Sequence, residues 1–212
     1  MVKLIAFDLD GTLIDSRLDL AGAVNYMRHS LGLEPLATER IVSFVGNGIT
    51  SLVRRAVADG EVDFEEALRR MKLYYADHLT DTTSLYPGVS AGLAELRQAG
   101  IELAVLTNKP TGSAERILEA LGVARHFSRI VGGDSEFPLK PEPDALIALR
   151  RQADAPAEAC WVFGDHYTDL EAGRRAGFRR AFARYGFGDP RGEERDFEVD
   201  SFSEFVMAIR GY

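Results

Sequence analysis

The chain has 212 residues, 46% of them apolar and 27% charged, the balance of a globular protein large enough for one core or for a core carrying an insertion. A net charge of -8 offers no basic footprint for nucleic acid or an anionic membrane, and the apolar runs are far shorter than a membrane span. The single Cys160 cannot form an internal disulfide and no Arg/Lys-led apolar leader opens the chain, so a cytoplasmic protein without a signal peptide is expected.

Residues 2–7 form a short apolar run, the pattern of a buried strand, which stops at Asp8, Leu9, Asp10, Gly11 and Thr12. In an open α/β sheet, ligands bind just beyond the carboxyl ends of the strands, where this segment leaves its acids. Residues i and i+2 of an extended chain project to one side, roughly 6–7 Å apart. Asp8 can therefore attack a substrate while Asp10 handles a proton. Gly11 permits a sharp turn and the close approach of a bulky group.

Residues 16–83 contain no convincing strand. Residues 18–31 read as a helix stopped by Gly32, and residues 49–58 as a second, with Leu52, Val53, Ala56 and Val57 on one amphipathic face. Asp63 to Glu66 is a capping-box-like opening for a third helix that reaches about His78. This block is expected to be a helical cap over the site, with hinges near residues 14–16 and 82–87. Strands are expected at 101–106, ending at Thr107, at 128–131, ending at Gly132, Gly133 and Asp134, at 160–163, ending at Gly164 and Asp165, and at 178–183. The helical patterns at 89–99, 113–121 and 170–176 stop at Gly100, Gly122 and Gly177, each suited to a C-cap. Such alternation implies a parallel sheet with right-handed crossovers.

Four polar positions then fall at or just beyond strand ends: Asp8 with Asp10, Thr107, Lys140, and Asp165 with Asp169. In a parallel sheet they converge on one edge. Clustered carboxylates cannot all stay ionised without positive charge, so the group demands a cation and a partner such as Lys140. Mg²⁺ fits, because it takes few carboxylates and completes its shell with water and phosphate oxygens. No Cys/His cluster suggests zinc.

Asp8-x-Asp10-Gly11-Thr12, Thr107-Asn108, Lys140-Pro141 and Gly164-Asp165-x-x-x-Asp169 resemble, in order, the four motifs of the haloacid dehalogenase-like hydrolase superfamily. Within it, the chain looks most like the phosphoglycolate phosphatase group, on Asp15-Ser16, Val45-Gly46-Asn47-Gly48, Tyr86-Pro87-Gly88-Val89 and Leu106-Thr107-Asn108-Lys109-Pro110. The likeness covers nearly the whole chain and weakens after Gly188. It implies a Rossmann-like parallel core built from residues 1–15 and 84–212, flanked by helices, with an all-helical cap at 16–83. It implies an aspartyl-phosphate on Asp8, proton transfer by Asp10, a phosphoryl hydrogen bond from Thr107, and neutralisation by Lys140. Asp8, the Asp10 backbone carbonyl and Asp165 would hold Mg²⁺, with Asp169 in support. Gly11, Asn108, Asn47, Gly48 and His166 would contact phosphate or substrate.

Several positions admit two readings. Thr107 and Lys140 taken singly are a strand-end hydroxyl and a solvated lysine, and Asp169 suits the first turn of a helix. Asn47-Gly48 is either a turn between helices or a substrate-facing loop. His166 stands where the family often carries a small hydroxyl residue, and touches substrate or merely packs. Lys109 contacts substrate or caps its loop, the Tyr185–Gly188 stretch shapes the rim or is an ordinary turn, and Cys160 reads as core. The expected partner is a small phosphorylated metabolite, 2-phosphoglycolate first, and monomer and homodimer both stay open. A sugar phosphatase, a pyrophosphatase and a β-phosphoglucomutase-like enzyme are the alternatives on the same core; a non-catalytic regulator is the alternative of another class.

Overall fold

A computed structural model describes residues 1–212. The first strand, β1 (Leu4–Phe7), is central to a sheet of six parallel strands. After it come a two-residue strand β2 (Ile14–Asp15) and four consecutive helices, α1 (Arg17–Ser30), α2 (Thr38–Val42), α3 (Ile49–Ala56) and α4 (Phe64–Asp77). The chain returns through β3 (Ser84–Leu85) and continues as α5 (Val89–Gln98), β4 (Glu102–Leu106), α6 (Thr111–Ala120), β5 (Arg129–Val131) and α7 (Asp144–Gln152). It closes with β6 (Cys160–Gly164), α8 (Tyr167–Ala176), β7 (Arg179–Ala183), β8 (Phe197–Val199) and α9 (Phe202–Arg210). No helix is long and apolar enough to cross a membrane.

The sheet runs β5-β4-β1-β6-β7-β8, so the chain leaves β1 to one side and later crosses to the other. Phe7 pairs with Val105 of β4 and Phe163 of β6, which brings the loops after these three strands to one edge. Both faces are buried, and side chains alternate between them. Ile5, Phe7, Leu103, Val105, Trp161 and Phe163 point into the larger core with α5, α6 and α9. Leu4, Ala6, Ala104, Leu106, Cys160 and Val162 point into a smaller one with α7 and α8. Phe163 stacks on Phe205 at 3.9 Å between ring centroids, and Phe7 meets both Phe163 and Phe205 edge-on. Each such ring contributes about 1.5–3 kcal/mol by leaving water.

The expected strands and helices form, with ends shifted by a few residues. The largest shift is at α8, expected from residue 170 but starting at Tyr167, because His166 caps it: its Nδ1 accepts from Thr168 N at 3.4 Å while its own N–H donates to Asp169 Oδ2 at 3.1 Å. Asp63 caps α4 by accepting from Glu66 N at 3.1 Å. Gly32, Gly100, Gly122 and Gly177 all adopt the left-handed backbone expected of helix stops. Helices α2, α7 and α9 and strand β8 were not anticipated. These elements form where they pack, as Phe202 and Phe205 of α9 do on Phe7 and Phe163 and as Leu146 and Leu149 of α7 do in the smaller core.

All of α1–α4 lies between β2 and β3, which pair antiparallel as Ile14 with Leu85 and Asp15 with Ser84. The two passages of the chain thus run side by side. Asp19 of α1 staples the return passage, accepting from Thr82 N at 3.0 Å, Thr82 Oγ1 at 2.6 Å, Thr83 N at 2.9 Å and Thr83 Oγ1 at 2.7 Å. Within the helices, Val24, Met27, Val53, Ala56, Ala67 and Met71 are fully buried. Arg28, 1% exposed, ties α1 to the end of α3 through Asp59 at 2.8 and 2.9 Å and through the carbonyl of Ala56.

Candidate active site

The loop after β1 begins at Asp8, whose N–H donates to Phe163 O at 2.9 Å and so stays level with the end of β6. Gly11 turns the loop with φ +87°, and a side chain there would be strained and would displace Asp165: a Cβ would lie 2.0 Å from Asp165 Oδ2. Asp165 follows the last residue of β6 and is buried. Its Oδ2 accepts from Phe187 N at 2.9 Å and Gly188 N at 2.8 Å. The Tyr185–Gly188 stretch is therefore a cradle for Asp165, fastened to the first loop by Tyr185 Oη donating to Thr12 O at 2.7 Å.

Lys140 enters from the loop between β5 and α7. Its Nζ lies 2.8 Å from Asp8 Oδ1 and 2.6 Å from Asp169 Oδ1, with all three side chains almost fully buried. The lysine backbone is held by Asn108, which accepts from Lys140 N at 2.9 Å and donates to Lys140 O at 3.0 Å and Gly46 O at 2.8 Å. Asn108 reaches the cavity, but its amide is committed to backbone. Thr107, at the end of β4, accepts from Lys109 N at 3.2 Å and keeps its own hydroxyl proton for another partner.

Ligand oxygens of Asp8, Asp165 and Asp169 lie within 4.8 Å of one another, all buried. Burial and the neighbouring acids push the Asp8 carboxyl up to about 6 against the pull of Lys140, and raise that of Asp165 well above its ordinary value. One lysine thus leaves the trio short of positive charge. An all-carboxylate oxygen set of this kind fits a hard divalent cation such as Mg²⁺. Bound there, Mg²⁺ would supply a Lewis acid that polarises a phosphoryl oxygen and gathers negative charge beside Asp8.

Asp10 lines the same edge but is held by a different set of partners. Its carboxylate accepts from Ser16 Oγ at 2.5 Å and from Lys109 Nζ at 3.0 and 2.9 Å, and Lys109 also donates to Tyr75 Oη at 2.8 Å. Of these three, the sequence leaves Lys109 between two roles and places Ser16 only at the hinge. Tyr75 was missed. Its signal is a polar tip on the buried stripe Ala67, Met71, Tyr75 of α4, spaced four residues apart.

A cavity between sheet edge and helices is lined by Asp8, Asp10, Thr107, Asn108, Lys109, Asp165 and His166 on one side and by Leu20, Val45, Gly46, Gly48, Ile49, Leu52 and Tyr75 on the other. Asn47, expected against substrate, is not among them. It donates instead to Tyr167 Oη at 2.9 Å and accepts from Arg55 at 3.0 Å, because the Gly46 and Gly48 backbones turn it outward from the cavity. His166 packs its ring against Gly46, where a Cβ would come within 2.7 Å. Burial holds the imidazole down at about 4. Its Nδ1 lies 2.9 Å from Thr168 Oγ1 and 3.4 Å from Thr168 N, which fixes the ring's orientation.

A sequence model of the haloacid dehalogenase-like hydrolase family matches residues 5–183, spanning every acid and lysine of this edge. The chain belongs to that family. It is 42% identical to a phosphoglycolate phosphatase of Chromobacterium violaceum, over 99% of this chain and 97% of that one. It is 40% identical to a phosphoglycolate phosphatase of Pseudomonas fluorescens, over 91% of this chain and 74% of the relative. Among solved structures, a predicted phosphoglycolate phosphatase from Haemophilus somnus superposes with a TM-score of 0.94 at 32% identity, covering 98% and 97% of the two chains. CbbY from Rhodobacter sphaeroides, solved in complex with phosphate, superposes with a TM-score of 0.80 at 25% identity, covering 97% and 96%. This haloacid dehalogenase-like hydrolase thus shares its architecture with those two solved structures over nearly the whole of each chain.

Proposed function

We propose that this haloacid dehalogenase-like hydrolase is a Mg²⁺-dependent phosphatase of small phosphomonoesters, with 2-phosphoglycolate as its substrate. The observation that carries it is the ion pair of Lys140 with Asp8 in a buried acidic trio, with a second acid, Asp10, lining the same cavity. Lys140 occupies Asp8 Oδ1 and leaves Oδ2 to attack phosphorus. The ester P–O bond breaks, Asp10 gives its proton to the departing alkoxide, and phosphate stays on Asp8. Asp10 then takes a proton from water, whose oxygen attacks phosphorus and releases inorganic phosphate. Thr107 and Lys140 supply a hydrogen bond and a positive charge to the phosphoryl oxygens, so the site works by positioning and electrostatics.

Residues 16–83 act in this proposal as the cap and residues 1–15 with 84–212 as the core, supported by the β2–β3 pairing that brings both passages together. The cap presents Leu20, Val45, Ile49 and Leu52 to the cavity, with Tyr75 as its polar side chain. A wall of that kind favours a two-carbon acid over a sugar phosphate, whose hydroxyls would go unpaired. The His166 ring and the backbone at Gly48 are the proposed contacts for the substrate carboxylate. The relatives named phosphoglycolate phosphatase support the same choice.

The test is a panel of phosphorylated metabolites with Mg²⁺, read by phosphate release. The expected result is highest kcat/KM on 2-phosphoglycolate, abolished by chelator and by Asp8→Asn. A sugar phosphate or pyrophosphate at the top of the panel overturns the substrate, and no turnover by the wild type overturns the activity.

A further inference from the structure

Building on the phosphatase proposal above, we infer that Lys109, held from the cap by Tyr75, is the positioning residue for Asp10 and makes its proton transfer depend on docking of the cap. The Lys109 ammonium has three N–H bonds, and three acceptors meet them: Asp10 Oδ1 at 3.0 Å, Asp10 Oδ2 at 2.9 Å and Tyr75 Oη at 2.8 Å. No donor is left over for a substrate, so Lys109 acts through Asp10 rather than by binding. The side chain is 3% exposed, and its Nζ also lies over the Tyr75 ring, 4.8 Å from the centroid. An ammonium so deeply buried is stabilised by the Asp10 carboxylate between proton transfers, which holds the two side chains together.

The two oxygens of Asp10 are not equivalent. Oδ1 is anchored twice, by Ser16 Oγ at 2.5 Å and by Lys109 at 3.0 Å, whereas Oδ2 has Lys109 alone. Oδ2 is then the oxygen that carries the transferable proton while Lys109 and Ser16 keep Oδ1 in place. Both anchors lead to the helical block: Ser16 immediately precedes α1, and Tyr75 belongs to α4. Undocking of α4 removes Tyr75 from Lys109, frees one N–H of the ammonium, and loosens the hold on Asp10 before substrate has been sealed in. Proton transfer is thereby confined to the docked state, where water is excluded.

The readout is leaving-group dependence, which a merely structural role does not move. An alkyl phosphate such as 2-phosphoglycolate expels a basic alkoxide that needs the Asp10 proton, while 4-nitrophenyl phosphate expels a phenolate that does not. The kcat/KM ratio covers the steps through alcohol departure. We expect Lys109→Met to lower kcat/KM about 100-fold on the alkyl ester and less than about tenfold on the aryl ester, the scale of a lost acid contribution. Tyr75→Phe, which keeps the ring and deletes one oxygen, should lower the alkyl value roughly fivefold through kcat with KM unchanged, a loss the size of one hydrogen bond. The double variant should match Lys109→Met alone, because Tyr75 acts only through the lysine. Equal losses on both esters, a loss confined to KM, additive variants or wild-type behaviour overturn the inference. If Lys109→Met does not fold, Tyr75→Phe decides on the same criteria. Failure of the phosphatase proposal is a different result: the wild type then turns over neither ester.

Discussion

Lys140 and Asp8 are 132 positions apart in the chain and meet at 2.8 Å, buried, with no other basic side chain bonded to either. Asp169 shares the ammonium at 2.6 Å, so a single lysine offsets two carboxylates. Lys140→Met should therefore leave both acids facing one another. We expect kcat to fall about 100- to 1000-fold, as for loss of an oxyanion-stabilising donor. Metal-free stability should fall by about 3–5 kcal/mol, the cost of breaking a buried pair. Phosphate-release kinetics and chemical denaturation measure the two effects.

Asp10→Asn keeps the side-chain volume and the bond from Ser16 but removes the transferable proton and the charge that Lys109 faces. Turnover should drop by about 10²–10⁴ while KM changes little, since proton transfer is made only in the transition state. Steady-state kinetics on 2-phosphoglycolate decides it; wild-type kcat removes Asp10 from the chemistry.

The Asp8 carboxyl is held up to about 6 in the folded protein, mainly by burial, from an ordinary value of 3.8. A carboxylate whose value is raised on folding binds more protons in the native state, so stability falls as pH rises through that window. The metal-free protein should lose roughly 3 kcal/mol between about pH 4 and pH 6 from this group alone. Asp165, raised for the same reason, adds in the same direction. Mg²⁺ reverses the penalty by pairing the ionised forms, so the Tm gain on adding Mg²⁺ should grow from pH 5 to pH 7. Thermal melts with Mg²⁺ and with chelator across that range test the sign; a gain that shrinks as pH rises contradicts it.

Gly11→Ala places a methyl group 2.0 Å from Asp165 Oδ2 at a backbone angle that side chains rarely adopt. Asp165 must move off its cradle. Mg²⁺ affinity should weaken about 10- to 100-fold, on the scale of disturbed metal-site support, with at least about 1 kcal/mol lost to backbone strain. Titration calorimetry with Mg²⁺ reads the first and denaturation the second.

Asp19→Ala removes the acceptor for the N–H and hydroxyl groups of Thr82 and Thr83, where the chain leaves the helical block. Thr83 is buried, and its donors left unpaired cost about 1–3 kcal/mol, whereas the exposed Thr82 can turn to water. Amide exchange at Thr82 and Thr83 should accelerate while the sheet amides stay protected. Unchanged exchange there removes Asp19 from the hinge.

Much of this was legible in the residues themselves. Asp8 and Asp165 could be placed because a strand that ends in an acid announces its position in a parallel sheet, and Lys140 because its order along the chain with them matches the family. Asn47 could not be placed from the sequence. Gly46 and Gly48 signal a loop, but the direction an asparagine takes between them depends on what lies opposite, here Tyr167 and Arg55. The short α2 and β8 carry too little periodicity to stand out, and α9 draws its stability from aromatic rings of the sheet rather than from its own propensity.

Local chemistry in the sequence determined the strand-and-helix alternation, the left-handed stops at Gly32, Gly100, Gly122 and Gly177, and the loops that bear the acids. Tertiary structure alone decided what each polar atom touches: Lys109 on Asp10 and Tyr75, Asn108 on the Lys140 backbone, and the Tyr185–Gly188 loop around Asp165. The physical reason is range. Periodicity and backbone preference act over a few neighbouring residues, whereas a buried charge must find its partner wherever the fold brings one within hydrogen-bond distance.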